Sequence, residues 1–124
     1  VQKMLRNETT IPLTKALQNR DFLFVDDLLR VYDLMLEKHR DFNHFEEFNV
    51  GAGVNSNLKE ILEFIKVNTN SKSILDYGAI QYRNNELMES NNNVNRLKEL
   101  GWRKEINIEE GLLKVIKFEK NKVL

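Results

Sequence analysis

Residues 18–36, QNRDFLFVDDLLRVYDLML, set an Arg-Asp pair, an apolar run, a second acidic pair and a helical stripe in immediate succession. Residues 22–25 (FLFV) are apolar and aromatic, and the run is short enough for a strand buried on both faces. Asp26 or Asp27 is expected to stop that strand and cap the next element. A carboxylate accepts hydrogen bonds from the free N–H groups of a helix start and suits the positive end of its dipole. Leu28, Val31, Tyr32, Met35 and Leu36 then recur at helical spacing. A buried strand feeding an amphipathic helix is the unit from which α/β folds are built.

The unit recurs downstream. Residues 46–50 (EEFNV) read as a strand, residues 51–57 (GAGVNSN) as a turn, and Leu58, Ile61, Leu62 and Ile65 as one face of a helix. Asn57, with Glu60 three residues on, is a capping-box-like start. After the polar residues 68–73, residues 74–82 (ILDYGAIQY) read as a strand interrupted at Gly78. A short helix is expected from about Val94 to Leu100, closed by Gly101, with Trp102 folding back on Leu97. The last helix begins at Asn107, with Glu110 at its third position, and runs through Leu112, Val115 and Ile116. Upstream, residues 10–14 (TIPLT) form an extended stretch held by Pro12, and residues 15–19 (KALQN) a polar connector. Val1, Met4 and Leu5 are spaced as the end of a helix with no cap before it, so the chain is expected to be a segment of a longer protein. Alternating strands and helices make the class α/β, with few strands and about four to five helices in a single domain over residues 1–124.

Composition narrows the functional classes. At 124 residues, 41% hydrophobic and 31% charged, the chain reads as one soluble domain. Nineteen basic residues balance nineteen acidic ones, which argues against the basic face that nucleic acid or an anionic membrane requires. No cysteine is present, so disulfides and thiolate chemistry drop out. No apolar run approaches the roughly 18 residues of a membrane span, and the expected compartment is the cytoplasm.

Few residues offer chemistry. Residues 49–53 (NVGAG) invite a dinucleotide-fingerprint reading, but Ser56 stands where the third glycine belongs and Asp76 falls late for a ribose contact; a plain tight turn is the better reading. His39 and His44, with Asp41, Glu46 and Glu47 nearby, are read as solvated loop residues, not metal ligands. Asp26 and Asp27 could form an acid pair, but capping accounts for both. Residues 90–95 (SNNNVN) read as a solvated loop and helix start. Arg20 and Arg83 remain as cations beside strands, suited to an anion or to an ion pair.

Five blocks of sequence, QNRDFLFVDDLLRVYDLMLEK, FNVGAG with NLKEILEFI, YRNNELM, LKELGW and NIEEGLLKVI, together resemble the C-terminal part of the NAD(P)-dependent nucleotide-sugar epimerase/dehydratase family, the extended short-chain dehydrogenases/reductases. The resemblance implies a Rossmann-type enzyme with NAD or NADP as cofactor. It further implies that the dinucleotide-binding domain and the catalytic Tyr-x-x-x-Lys lie outside this chain: Tyr32, Tyr77 and Tyr82 have no lysine four residues on. This segment would then bind no cofactor of its own and would carry the nucleotide-sugar pocket.

Transferred residue by residue, the resemblance implies that Arg20 reaches the nucleotide diphosphate while Asp21 helps hold the turn. Arg83 looks like the second diphosphate arginine and Glu86 like the acid that meets the ribose. Pro12, Leu13 and Thr14 would run beside the base, and Gln18 would line the same pocket. The sequence departs from the family where Asn92 and Asn95 replace the usual Asp-x-x-Lys, and where Ala16-Leu17 replaces a common glycine. CDP-deoxysugar synthases and 4-ketoreductases are the members it looks most like, with dTDP and UDP sugars as rival substrates. A homodimer is expected for the whole enzyme, and association or a rearranged edge for the isolated segment. The competing expectation is a free-standing α/β module in which Arg20 and Arg83 make only structural ion pairs.

Overall fold

The computed structural model describes residues 1–90 and 92–123, and its elements follow in the order α1 (Gln2–Leu5), β1 (Thr10–Leu13), β2 (Asn19–Asp21), α2 (Val25–Lys38), β3 (Asn55–Asn57), α3 (Leu58–Thr69), β4 (Ile74–Tyr77), α4 (Asn95–Glu99) and α5 (Ile108–Val123). A single 3-10 turn, His39–Asp41, closes α2. The architecture is the expected α/β, but its strands form two separate ribbons. β1 pairs with β4 in parallel, Thr10 opposite Ile74 through Leu13 opposite Tyr77. β2 pairs antiparallel with β3, Arg20 opposite Ser56.

Two apolar clusters hold these pieces. Met4, Ile11, Ile61, Ile65 and Ile116 bring α1, β1, α3 and α5 together, with Leu13, Leu75 and Leu112 packed against them. Val31, Leu97 and Trp102 tie α2 to α4, flanked by Leu23, Met35, Phe48 and Val50. Leu97 is fully buried because α4 ends in the expected Schellman closure: Trp102 N–H donates to the Leu97 carbonyl at 3.0 Å, Gly101 N–H to Lys98 at 3.0 Å, and Gly101 takes a φ of 98°. The expected caps of α3 and α5 are also present. Asn57 Oδ1 accepts from the N–H groups of Lys59 and Glu60, and Asn107 Oδ1 accepts from Glu110 N–H at 2.8 Å.

Three expectations are corrected. Residues 22–25 are not a buried strand: the ribbon strand is Asn19–Asp21, Phe24 is the N-cap of α2, and Phe22 and Val25 are exposed. No neighbouring strand offers this run a ladder, so its rings pack as side chains, Phe24 against the Cα of Gly111 in α5. Residues 46–50 likewise belong to no strand; Phe48 and Val50 serve the second cluster. Asp26 and Asp27 sit in the first turn of α2 and neither caps it. Asp27 is fully buried and instead reaches across, accepting from the N–H groups of Glu105 (3.0 Å) and Ile106 (3.1 Å) while pairing with Arg30. Its carbonyl takes the Trp102 indole N–H at 3.2 Å.

The α2 stripe is only partly internal. Val31 is buried, but Tyr32 and Leu36, read as part of the same helical stripe, are exposed and line up with Val25 and Leu29 in an apolar row. β4 stops at Tyr77 because Gly78, at φ 91°, turns the chain; residues 79–82, read as the strand's continuation, belong to no strand. Among the described residues no helix is long and apolar enough to cross a membrane.

Candidate functional site

β2 is short, yet strand alternation lets it serve both its faces. Arg20 and Asp21 are adjacent, so their side chains leave in opposite directions. Asp21 turns to the glycine-rich turn. Its Oδ1 accepts from Ala52 N–H at 2.6 Å and its Oδ2 from Gly53 N–H at 2.9 Å. A Cβ on Gly51 would run into the Asp21 carboxylate and the Asn92 amide, and Gly53 holds a φ of 71°. Paired backbone N–H groups with glycine at the close approach make a cradle for an anion. Here the anion is internal. The residues of this turn therefore do not fit a dinucleotide phosphate, which agrees with reading 49–53 as structural.

Arg20 turns the other way. Its Nη2 donates to Glu86 Oε1 at 2.7 Å and its Nη1 to the carbonyl of Asn19 at 3.1 Å. Gln18, 5% exposed, donates from Nε2 to the same Glu86 oxygen at 3.2 Å, and its Oε1 is buried with no partner among the described residues. Three of the expected site residues, Gln18, Arg20 and Glu86, thus meet in one cluster, with Arg20 and Glu86 each about a quarter exposed.

Arg83 comes to the same neighbourhood through a turn, in which Glu86 N–H donates to the Arg83 carbonyl at 3.0 Å. Its guanidinium is exposed and bonds to no described residue. Pro12, Leu13 and Thr14 lie at the end of β1 where the connector begins. Leu13 packs against the first cluster on the face opposite Pro12, so the polar group it presents is its carbonyl, which receives the N–H groups of Gly78 and Ile80 at 3.0 Å each. Thr14 Oγ1 accepts from Ala16 N–H at 3.2 Å. The connector read as polar is in fact half internal: Ala16 is 1% exposed and left-handed, at φ 54°.

Two residues of this neighbourhood were given no part in the site by the sequence. Glu89 is held by Asn19 Nδ2 at 2.6 Å and by Asn55 Nδ2 at 3.3 Å. Tyr82 OH accepts from Leu17 N–H at 2.9 Å. No spacing rule points to either, because their partners lie 34 to 70 positions away. Asn92 donates to the Val50 carbonyl at 3.2 Å, so it ties chain to chain without a charge. Asn91 of the asparagine cluster lies outside the described residues.

The remaining candidates have structural occupations. Tyr77 donates to Glu63 Oε1 at 2.8 Å beneath Lys59, whose Nζ lies 4.8 Å from the ring centre. Burial, and then Glu63, push the phenol well above its ordinary range, the wrong direction for an acid/base tyrosine at neutral pH. His39 Nδ1 faces the Leu36 carbonyl at 2.7 Å, and among the described residues no three His, Cys, Asp or Glu side chains converge as a metal site. Arg96 joins Glu46 at 2.6 Å, lowering that carboxyl below its usual range.

Comparison with known proteins puts this geometry in context. A family profile described as GDP-mannose 4,6 dehydratase matches residues 1–115. CDP-abequose synthase of Salmonella muenchen is 39% identical over 116 residues, covering 94% of this chain and 39% of that protein. The crystal structure of UDP-glucose 4-epimerase with UDP-glucose from Thermotoga maritima superposes with a TM-score of 0.84 at 26% identity, over 99% of this chain and 38% of that one. The Thermus thermophilus UDP-glucose 4-epimerase complexed with NAD shares the fold at a TM-score of 0.78 and 20% identity, over 96% of this chain and 38% of that one. The chain thus spans under two-fifths of the length of these relatives. With its match running through residues 1–115 of 124, it belongs to the GDP-mannose 4,6 dehydratase family.

Proposed function

We propose that this chain is the C-terminal, substrate-binding part of an NAD(P)-dependent enzyme that exchanges hydride at a carbon of a nucleoside-diphosphate sugar. The observation that carries the reading is the Gln18–Arg20–Glu86 cluster with the unengaged Arg83 at the head of the same turn. Planar guanidinium forks from two separate segments suit a diphosphate, whose oxygens accept in parallel pairs. Arg20 and Arg83 take the diphosphate. Glu86, released in part from Arg20 as the phosphates arrive, meets the ribose hydroxyls, and Gln18 lines the pocket beside it. Pro12, Leu13 and Thr14 border the base.

NAD or NADP, when bound in the whole protein, supplies the hydride. Its site belongs to a dinucleotide-binding domain outside these residues, since the glycine turn here is filled by Asp21. Two features support such a neighbour. Val25, Leu29, Tyr32 and Leu36 form an uncovered apolar row on α2, and residues 45–50 have no ladder partner among the described residues. The likeness to CDP-abequose synthase favours a CDP sugar over dTDP, UDP and GDP sugars. The whole enzyme is read as a cytoplasmic homodimer.

The test is a thermal-shift and calorimetric panel of CDP, dTDP, UDP and GDP sugars on the full-length protein. Saturable binding of one nucleotide class is expected. No binding of any of them, with the protein folded, favours the rival reading, in which Arg20–Glu86 is only a structural ion pair.

A further inference from the structure

The segment from Tyr82 to Glu89 carries both Arg83 and Glu86, and a series of polar contacts fastens it to the connector, β2 and β3. Leu17 N–H reaches Tyr82, Gln18 and Arg20 reach Glu86, Asn19 N–H donates to the Met88 carbonyl at 2.8 Å, and Asn19 and Asn55 hold the Glu89 carboxylate. Leu87 and Met88 are exposed, so apolar burial contributes little to its position. The anchors differ in kind. Glu86 is tied to Arg20, the cation that an incoming diphosphate would also engage, so this tie weakens when ligand binds. Glu89 is tied to neutral amides, which an anionic ligand has no charge-based reason to displace. Asn19 is itself fixed, because its Oδ1 accepts from Asn57 Nδ2 at 3.2 Å while Asn57 Oδ1 caps α3.

We propose that Glu89 is a positioning residue of the substrate pocket: clamped by Asn19 and Asn55, it keeps Arg83 and Glu86 in place while ligand exchanges with Glu86 for Arg20. The proposal rests on the nucleotide-sugar reading of the site.

The test uses the full-length protein and the nucleoside diphosphates CDP, dTDP, UDP and GDP, with the best binder of the wild type carried forward. Glu89→Ala is expected to weaken that binder by about 5- to 20-fold, the effect of roughly one charge-assisted contact. Glu89→Gln, which keeps one acceptor for Asn19, recovers part of the loss. In an Arg83→Ala background the further loss is expected to be smaller than in the wild type, because one of the two contacts that Glu89 positions is already gone. Hydrogen exchange without ligand should quicken at the Asn19 and Glu86 amides in Glu89→Ala and stay unchanged at Ile61 and Ile65. A wild type that binds while Glu89→Ala binds equally well, or that loses the same factor with and without Arg83, overturns this proposal alone. A wild type that binds none of the four overturns the substrate reading and this role with it.

Discussion

Ala16 holds a φ of 54° in the connector, a conformation that costs an alanine roughly 1–2 kcal/mol and a glycine almost nothing. That strain is borne locally, by a side chain that is itself buried. Ala16→Gly is expected to leave stability unchanged or raise it by up to about 1 kcal/mol, the relief being offset by the lost methyl and by unfolded-state entropy. Ala16→Val, β-branched and buried, should cost about 2 kcal/mol or more. Urea unfolding of the two variants checks this; a Gly variant less stable than the Val variant would contradict it. At Gly51 the argument is spatial. Gly51→Ala must push apart Asp21 and Asn92, and about 1–3 kcal/mol of destabilisation is expected, read from the same urea midpoints.

Between elements, Asp27 is a central tie. It joins the first turn of α2 to the chain after Trp102 and is fully buried, so Asp27→Ala strands the amides of Glu105 and Ile106, while Arg30, partly exposed, keeps its second partner Glu105 at 3.4 Å. A loss of about 2–4 kcal/mol is expected in equilibrium unfolding, roughly 1–3 kcal/mol for each stranded amide. A loss under about 1 kcal/mol would mean that the tie is incidental. The β4–α3 contact carries a pH prediction. The Tyr77 phenol ordinarily titrates near 10.0 and is raised in the fold by burial and Glu63. Its stabilising contribution is therefore complete below pH 10 and falls as pH rises from there toward the folded value, because the unfolded chain loses the proton first. Urea midpoints of the wild type should drop more steeply than those of Tyr77→Phe between about pH 9 and pH 11; parallel curves would contradict the assignment.

For the whole molecule, the helices were legible because their signals are local. Asn57 and Asn107 cap within three residues, Gly101 closes α4 on Leu97, and the α3 stripe faces the first cluster. The strands were not, because a strand is defined by its partner. Residues 22–25 and 46–50 have strand composition but no ladder among the described residues, and Tyr32 and Leu36 have helical spacing but no cover. The Arg20–Glu86 pairing spans 66 positions and no periodicity announces it; only likeness to a family pointed there. Asp21 shows the converse, since the turn that looks built for phosphate is filled by a side chain thirty-one residues away.

The central claim is that Arg20 and Arg83 clamp a diphosphate, and isothermal titration of the full-length protein with its preferred sugar nucleotide and with NAD(P) tests it. Each arginine supplies contacts of about 1.5–3 kcal/mol, so Arg20→Ala and Arg83→Ala should each weaken the sugar nucleotide by roughly 10- to 100-fold and leave NAD(P) affinity unchanged. Arg83, exposed and unengaged among the described residues, should do so with no change in melting temperature. Sugar-nucleotide affinity that survives both substitutions, with Arg20→Ala losing stability instead, would make the Arg20–Glu86 pair a feature of the fold alone and contradict the account.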